Sequence, residues 1–217
     1  MQSRTTALLL FTLTLLGFAT AASASTPPIL RVTTNAGQVA TIDSAGTVLF
    51  SGTCAANCST SFVNTSFPGQ VVWAGQVGTF TVTLSVGITK PVSFPSPSQD
   101  LNLQRISTSA DGTITFEWTD TNFPTPAITS ASLQAGGILN GNGSSTYKAY
   151  FDDTNAPFGT GILVGTLGPL GTGAFNGIVS GPGPSQTPFS MTEVATVNLT
   201  AGSNIGVDFQ FIAQPSP

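Results

Sequence analysis

The chain has no histidine, and only 6% of its 217 residues are charged. An ordinary globular domain is about 25% charged, so side chains for acid–base catalysis are scarce. A serine hydrolase would lack its imidazole base, and a glycosidase needs two carboxylates that face one cleft, which no sequence pattern brings together here. These shortages predict a protein that is not an enzyme.

Positive charge is the second shortage, because five Lys and Arg residues stand against nine Asp and Glu. Binding to phosphate backbones needs clustered cations that displace counterions, and here they are scattered singly. The distribution argues against nucleic acid and anionic membrane as partners. Other envelope or matrix proteins, or glycans, remain as partners.

The N-terminus has the pattern of a secretory signal. Arg4 supplies a positive charge, residues 7–16 form an apolar run, and residues 22–24 read Ala-Ser-Ala. This pattern predicts a cleaved signal peptide over residues 1–24, since the apolar run is far below the ~20 residues of a spanning helix. We therefore expect a secreted protein, extracellular or periplasmic, with a single domain over residues 25–217 and no membrane span after cleavage.

Cysteine occurs only as Cys54 and Cys58, in the sequence Cys-Ala-Ala-Asn-Cys. Export to an oxidising compartment favours a local disulfide that holds this polar loop. A redox or metal pair is the alternative, and it is weaker because structural zinc takes four ligands and the chain offers two thiols and no imidazole.

Hydrophobic residues recur with the period of β-strands. Apolar residues occupy every second position in Phe80–Ile88, and the segment after the turn signal Asp111-Gly112 alternates in the same way, which predicts one arm of a hairpin. Further runs bounded by turn residues cover Ile29–Thr34, Phe189–Leu199 and residues 47–51, 101–107, 147–151, 161–167, 174–180 and 205–212.

The remaining composition suits many short strands and tight turns, with 24 glycines and 15 prolines. After the signal, no segment shows a convincing helical pattern of apolar residues. We predict an all-β protein with two stacked antiparallel sheets, an Ig-like or jelly-roll-like β-sandwich, with a β-barrel as the alternative.

Acidic and amide side chains follow two of the predicted strands. Oxygen ligands at strand ends can gather around Ca²⁺, whereas Asp and Asn also cap turns by bonding to their own backbone. The spacing matches no known calcium loop, so we predict no cofactor, with calcium as the alternative. The weak calcium candidates are Asp120, Asn122, Asp152, Asp153 and Asn155.

Glu193 is the anomaly of the chain, because strict alternation in Phe189–Leu199 points its carboxylate into the core. An unpaired buried carboxylate is costly. Three explanations are ranked in order: the strand is bulged or near an edge, Glu193 pairs with Lys148 or Arg105, or it is a functional acid in a cleft.

Aromatic residues offer a possible sugar platform at Trp73, Trp118, Tyr147 or Tyr150. Trp118 lies in register with apolar neighbours, so we expect it to be buried. Tyr147 and Tyr150 have opposite parity, so at least one faces outward, and these two tyrosines are the candidate ligand-binding residues.

A series of strand and turn patterns occurs at residues 75–82, 87–91, 100–103, 115–123, 150–155, 158–159 and 189–194. In these segments the chain resembles secreted β-rich bacterial proteins, many of which carry a PEP-CTERM sorting tail. The resemblance spans roughly residues 71–209, and its motifs are not catalytic signatures. It implies a secreted β-rich fold, and it implies that Glu193 belongs to a shared pattern, which favours a structural pair. Residues 209–217 lack Pro-Glu-Pro and a basic cluster, so we expect release rather than anchoring.

Two functional classes are compatible with these features. The first is a non-catalytic structural or interaction protein of the cell envelope, biofilm or extracellular matrix, with exposed edge strands that pair with another chain. The second, the alternative, is a carbohydrate-binding module that uses exposed aromatic side chains.

Overall fold

A computed structural model of the protein describes residues 28–54, 56–90, 96–124 and 128–215. The predicted signal peptide lies outside these residues. The described part contains strands and turns, and it has no apolar helix of membrane-spanning length. The strands are β1 (Ile29–Thr34), β2 (Gln38–Asp43), β3 (Val48–Gly52), β4 (Cys58–Asn64), β5 (Gln70–Val77), β6 (Phe80–Ile88), β7 (Ser98–Thr108), β8 (Gly112–Phe123), β9 (Ile128–Asn140), β10 (Gly143–Asp152), β11 (Ile162–Leu170), β12 (Gly173–Pro182), β13 (Phe189–Leu199) and β14 (Asn204–Pro215).

The strands form two seven-stranded antiparallel sheets that stack face to face. Sheet A has the order β11-β10-β13-β8-β1-β2-β3, and sheet B has the order β12-β9-β14-β7-β6-β5-β4. Each sheet keeps two edge strands, so neither closes on itself. The predicted β-sandwich is confirmed, and the barrel alternative is wrong.

The chain fills the sandwich in two halves. Strands β1–β6 make one half of both sheets, β9–β14 make the other, and β7 and β8 lie between them. The prediction of a hairpin arm at β8 is wrong, because β8 pairs with β1 and β13 in sheet A while β7 belongs to sheet B. The Asp111-Gly112 turn instead carries the chain from one sheet to the other.

Large apolar side chains from both inner faces form the core. Trp118 is fully buried, as expected from its register, and so is Trp73. The Trp118 ring lies over Gly87 on the opposite sheet, where a Cβ atom would approach the ring to 2.7 Å. Glycine at this position lets the two sheets approach, and Trp118 Nε1 donates a hydrogen bond to the Ile88 carbonyl oxygen at 3.4 Å.

The two sides of the sandwich differ in how their edges end. On one side β11 packs against β12, so closely that a Cβ atom on Gly181 would lie 1.9 Å from the Val164 carbonyl oxygen. On the other side β3 and β4 leave Leu49 and Phe62 largely exposed. We call these the closed side and the open side.

The disulfide between Cys54 and Cys58 lies on the open side, with a Cα–Cα distance of 5.2 Å. It spans the connection from β3 to β4, where the chain first passes from sheet A to sheet B. The predicted disulfide is confirmed.

Candidate functional site

The structure places the two candidate tyrosines on opposite faces of β10. Tyr147 is 0% exposed and packs edge-to-face on Phe209, with ring centroids 5.3 Å apart. Burial raises the pKa of the Tyr147 hydroxyl. An exposed platform that includes Tyr147 is therefore excluded, because strand alternation turns this ring into the core. Tyr150 is partly exposed, so the expectation that one tyrosine faces outward is confirmed.

The two acidic segments considered for calcium meet at one end of sheet A. The Asn122 backbone N–H donates to Asn155 Oδ1 at 2.7 Å, and Asn155 Nδ2 donates to Asn122 Oδ1 at 2.8 Å. The sequence alone does not show that these two segments lie together. The reciprocal amide pair now joins them as one loop assembly.

The carboxylates of these segments accept hydrogen bonds or ion pairs from the chain itself. Asp120 Oδ2 lies 3.2 Å from Lys90 Nζ, and Asp152 Oδ1 accepts the Thr154 N–H at 2.7 Å. Asp153 Oδ1 accepts the Ser185 N–H at 3.0 Å, from the loop between β12 and β13. Burial raises the pKa of Asp120, and the Lys90 ammonium opposes that shift. Among the described residues, no three His, Cys, Asp or Glu side chains gather as a metal group. These contacts favour turn capping.

A loop over residues 153–161 covers part of the outer face of sheet A. The Phe158 N–H donates to Thr119 Oγ1 at 3.1 Å, and Ser190 Oγ donates to the Ala156 carbonyl at 2.7 Å. The Arg31 guanidinium lies 3.8 Å from the centre of the Phe158 ring. The loop therefore occupies the part of the outer face that lies near Thr119 and Arg31.

The outer face of sheet B holds a shallow hollow of about 300 Å³ over β7, β14 and β9, which we call the outer groove. Two glycines form its floor because they leave no side chain on this face. Polar side chains form one wall and an isoleucine forms the other. The floor is Gly136 and Gly206, and the walls are Asn102, Gln104, Asp208 and Ile138.

A second hollow of about 230 Å³ lies on the same sheet between β9 and β12. Asn176 lines this hollow, and it lies opposite Gly136 in the register of β12 with β9. Gly136 in turn pairs with Asp208, and Asp208 with Asn102. The register therefore sets amide and carboxylate side chains in one row across four strands.

Two acids, Asp100 and Asp208, interact in and beside the outer groove. Asn102 Nδ2 donates to Asp208 Oδ1 at 3.3 Å. Burial, with the added negative charge of Asp208, raises the pKa of Asp100 to about 7. The Asp100 carboxyl is therefore partly protonated near neutral pH.

Glu193 lies on the inner face of sheet A and is fully buried. Its pairing with Trp118 and Ala149 is regular and central in the sheet, so the first explanation, a bulge or an edge, is wrong. The second explanation, a pair with Lys148 or Arg105, is also wrong, because both carboxylate oxygens lack a hydrogen-bond partner within the described residues.

The third explanation, an acid in a cleft, fails because the Glu193 side chain does not reach solvent. Burial raises the pKa of Glu193 well above its usual value, and the like charges of Asp100 and Asp208 raise it further. Burial thus favours the neutral form of Glu193, and Asp100 and Asp208 on the opposite sheet act in the same direction.

The polar side chains of the outer groove can bind hydroxyl groups. Amides both donate and accept hydrogen bonds, and carboxylates accept them. This set of groups matches the hydroxyls of a neutral ligand.

Sequence reasoning missed the outer groove. Its one local signal was Gly136-Gly137 inside a strand, since strand glycines often mark a close approach by a ligand or another backbone. The polar wall could not be found in this way, because Asn102 and Asp208 meet only through the register of β7 with β14.

No protein-family model and no curated protein sequence matches the chain. Among solved structures, TmCBM61 in complex with beta-1,4-galactotriose is 10% identical with a TM-score of 0.34, over 54% of this chain and 71% of that one. TmCBM27, a carbohydrate-binding module that recognises mannan, is 9% identical with a TM-score of 0.30, over 74% of this chain and 90% of that one.

A third similar structure is the enzymatically active domain of tailspike protein 4 from bacteriophage CBA120. It is 10% identical with a TM-score of 0.32, over 67% of this chain and 19% of that one. Binding modules and an enzyme thus occur at the same low level of similarity, which assigns neither activity nor ligand to this chain.

Proposed function

We propose that this protein is a non-catalytic binding module that holds a neutral, hydroxyl-rich polymer, a polysaccharide, in the outer groove. The observation that carries the proposal is the row of Asn176, Asp208 and Asn102 across sheet B, beside a floor without side chains. Each of these groups bonds to hydroxyls, and the glycine floor lets a flat ring approach the backbone.

Charge narrows the class of ligand. Among the described residues that line the outer groove there is no lysine or arginine, and Asp208 gives its wall negative character. An anionic polymer would be repelled by that wall and by the net charge of −4. A neutral polymer meets no such penalty, because hydroxyls replace the water on the amides and carboxylates with equivalent hydrogen bonds.

The proposed place of action is outside the cytoplasm, either in the periplasm or in the medium. The pattern of residues 1–24 supports export, and the Cys54–Cys58 disulfide supports an oxidising compartment.

Binding of the purified protein to a panel of neutral polysaccharides, by glycan array and affinity electrophoresis, tests the proposal. Loss of one hydrogen bond costs about 0.5–1.5 kcal/mol, so Asn102→Ala and Asn176→Ala should each weaken binding roughly three- to tenfold. Tyr150→Ala, on the opposite sheet, is the matched control and should bind normally.

Two results would contradict the outer groove as the site. One is failure to bind any neutral polysaccharide. The other is binding that is lost in Tyr150→Ala and retained in Asn102→Ala, which would return the site to an aromatic side chain on sheet A.

A second candidate function is that of a structural or interaction protein of the envelope, biofilm or extracellular matrix. The observation that favours it is the open side, where Leu49, Phe50, Phe62 and Phe67 expose apolar surface. Assembly that depends on protein concentration, without glycan binding, would support this function over the first.

A further inference from the structure

We propose that two copies of the chain associate through strand β3, with the β3 edges of the two copies paired antiparallel across a two-fold axis. This inference rests on the second candidate function and specifies its partner and its contact. It follows from a comparison of the four strands that end the two sheets: β3, β4, β11 and β12.

Three of these edges carry features that block pairing with another chain. Strand β11 contains Pro169 and two register shifts against β10, and β12 is packed against β11 on the closed side. Strand β4 has a register shift between Thr60 and Phe62, which bends the strand. Proline, bulges and coverage are the devices by which sheets avoid adding strands.

Strand β3 has none of these features. Its five residues pair with β2 in unbroken register, and they include no proline and no charged side chain. Over residues 48–51 the backbone groups on its other edge have no partner strand among the described residues, and the extended run ends at Gly52, whose φ is +68°. An edge of this kind is a template for another strand.

The side chains of β3 also favour pairing with another strand, on both faces of sheet A. Phe50 pairs with the buried Ala40, so it lies on the inner face, and it is still 37% exposed. Leu49, on the outer face beside Thr41, is 63% exposed. The side chains of a second β3 would lie beside Phe50 on the inner face and would cover Leu49 on the outer face.

A second copy is the occupant that these features favour. In an antiparallel two-fold pair the strand meets its own copy, so a charge at its centre would face the same charge on the other chain. The uncharged Val48–Gly52 meets this condition.

The exposed area predicts a weak pair. The four large apolar side chains of the open side expose about 400 Å² together, taking about 200 Å² for each full side chain. A standard stable interface buries about 800 Å² per partner. The pair should therefore be reversible and depend on protein concentration.

Analytical ultracentrifugation of the purified protein over a range of concentrations tests the inference. We expect a monomer–dimer equilibrium that Leu49→Lys weakens at least tenfold, because a lysine on an edge strand opposes pairing. Ile178→Lys on β12 is the matched control, since Ile178 is 66% exposed and lies on the closed side. It should leave the equilibrium unchanged, and melting curves should show that both variants fold.

A cysteine placed in β3 reports the contact directly. Ser51→Cys should form an intermolecular disulfide on oxidation of the concentrated protein, and Ser180→Cys on β12 should not. A protein that stays monomeric throughout would overturn both this inference and the assembly function. Association that Leu49→Lys and Ile178→Lys leave equally intact, without crosslinking through Ser51→Cys, would overturn the β3 contact alone.

Discussion

The closed side and the open side end the two β-sheets in different ways. On the closed side the consecutive strands β11 and β12 belong to different sheets, and they pack closely at Gly181 and Val164. On the open side β3 and β4 are separated by a loop that a disulfide holds. One side depends on packing and the other on a covalent bond.

This difference bears on the proposed contact through β3. On the closed side β11 and β12 pack against each other, although Leu163 and Ile178 stay exposed. On the open side the disulfide holds the loop, and among the described residues no strand covers the outer edge of β3. The proposed contact would therefore lie on the side that the disulfide holds.

The largest effect is expected on the closed side, from Gly181→Ala. The new Cβ atom would lie 1.9 Å from the Val164 carbonyl oxygen, so the backbone must move. Overpacking of this kind should cost about 2–3 kcal/mol of unfolding free energy, measured by chemical denaturation. Gly171→Ala, in the turn between β11 and β12, meets nothing within 4 Å and serves as the control. Equal stability of the two variants would refute the tight contact between β11 and β12.

A smaller effect is expected on the open side, from replacing Cys54 and Cys58 together by serine. Loss of a disulfide that closes so short a loop should cost about 2 kcal/mol by the chain-entropy model. Thermal melting of the double variant beside the wild type measures this cost. A cost well above that of Gly181→Ala would mean that the disulfide stabilises more than its own loop.

The acids that lie between the two sides give a third comparison, because they make the stability of the protein depend on pH. The folded protein keeps the Asp100 proton up to about pH 7, whereas an unfolded aspartate loses it near its usual value of 3.8. The raised pKa values of Glu193 and Asp120 act in the same direction. Folded molecules therefore bind more protons than unfolded ones, and stability should fall as pH rises from about 4 to 7 and beyond.

Glu193→Gln isolates the buried member of this set. Glutamine resembles the protonated acid, so the variant should match the wild type near pH 5 and be more stable, by roughly 1 kcal/mol or more, near pH 9. Denaturation curves at the two pH values measure the difference. Parallel stability profiles for variant and wild type would show that the pKa of Glu193 is not raised in the folded protein.

The smallest effect is expected from calcium. Millimolar calcium should leave the melting temperature unchanged relative to a chelator, because Asp120, Asp152 and Asp153 already accept hydrogen bonds or an ion pair from the chain. A rise in melting temperature that Asp152→Asn abolishes would show that the loops do bind the ion.

Strands with complete alternation could be predicted from sequence, and those with small core residues could not. The predicted bounds of Phe80–Ile88 and Phe189–Leu199 agree with β6 and β13. Strand β9 was missed because Ala131, Ala135 and Gly137 occupy its inward positions and weaken the hydrophobic signal. Strand β4 was missed because an edge strand needs few apolar residues.

Of the three interacting acids Glu193, Asp100 and Asp208, the sequence alone singles out Glu193. Glu193 stands out in sequence because its own strand is apolar on that face. Its electrostatic neighbours, Asp100 and Asp208, lie on two strands of the other sheet, and a single sequence gives neither their register nor the way the sheets stack. The outer groove was missed for the same reason.

The division of the sandwich into two halves has a consequence for its motions. Residues 29–88 and 128–215 occupy opposite halves, and the pairings that join them run through β7 and β8. Such an arrangement defines two cooperative units, and the one that ends in the uncovered β3 should open first. Amide hydrogen exchange should therefore show two sets of rates, faster for β1–β6 and slower for β9–β14.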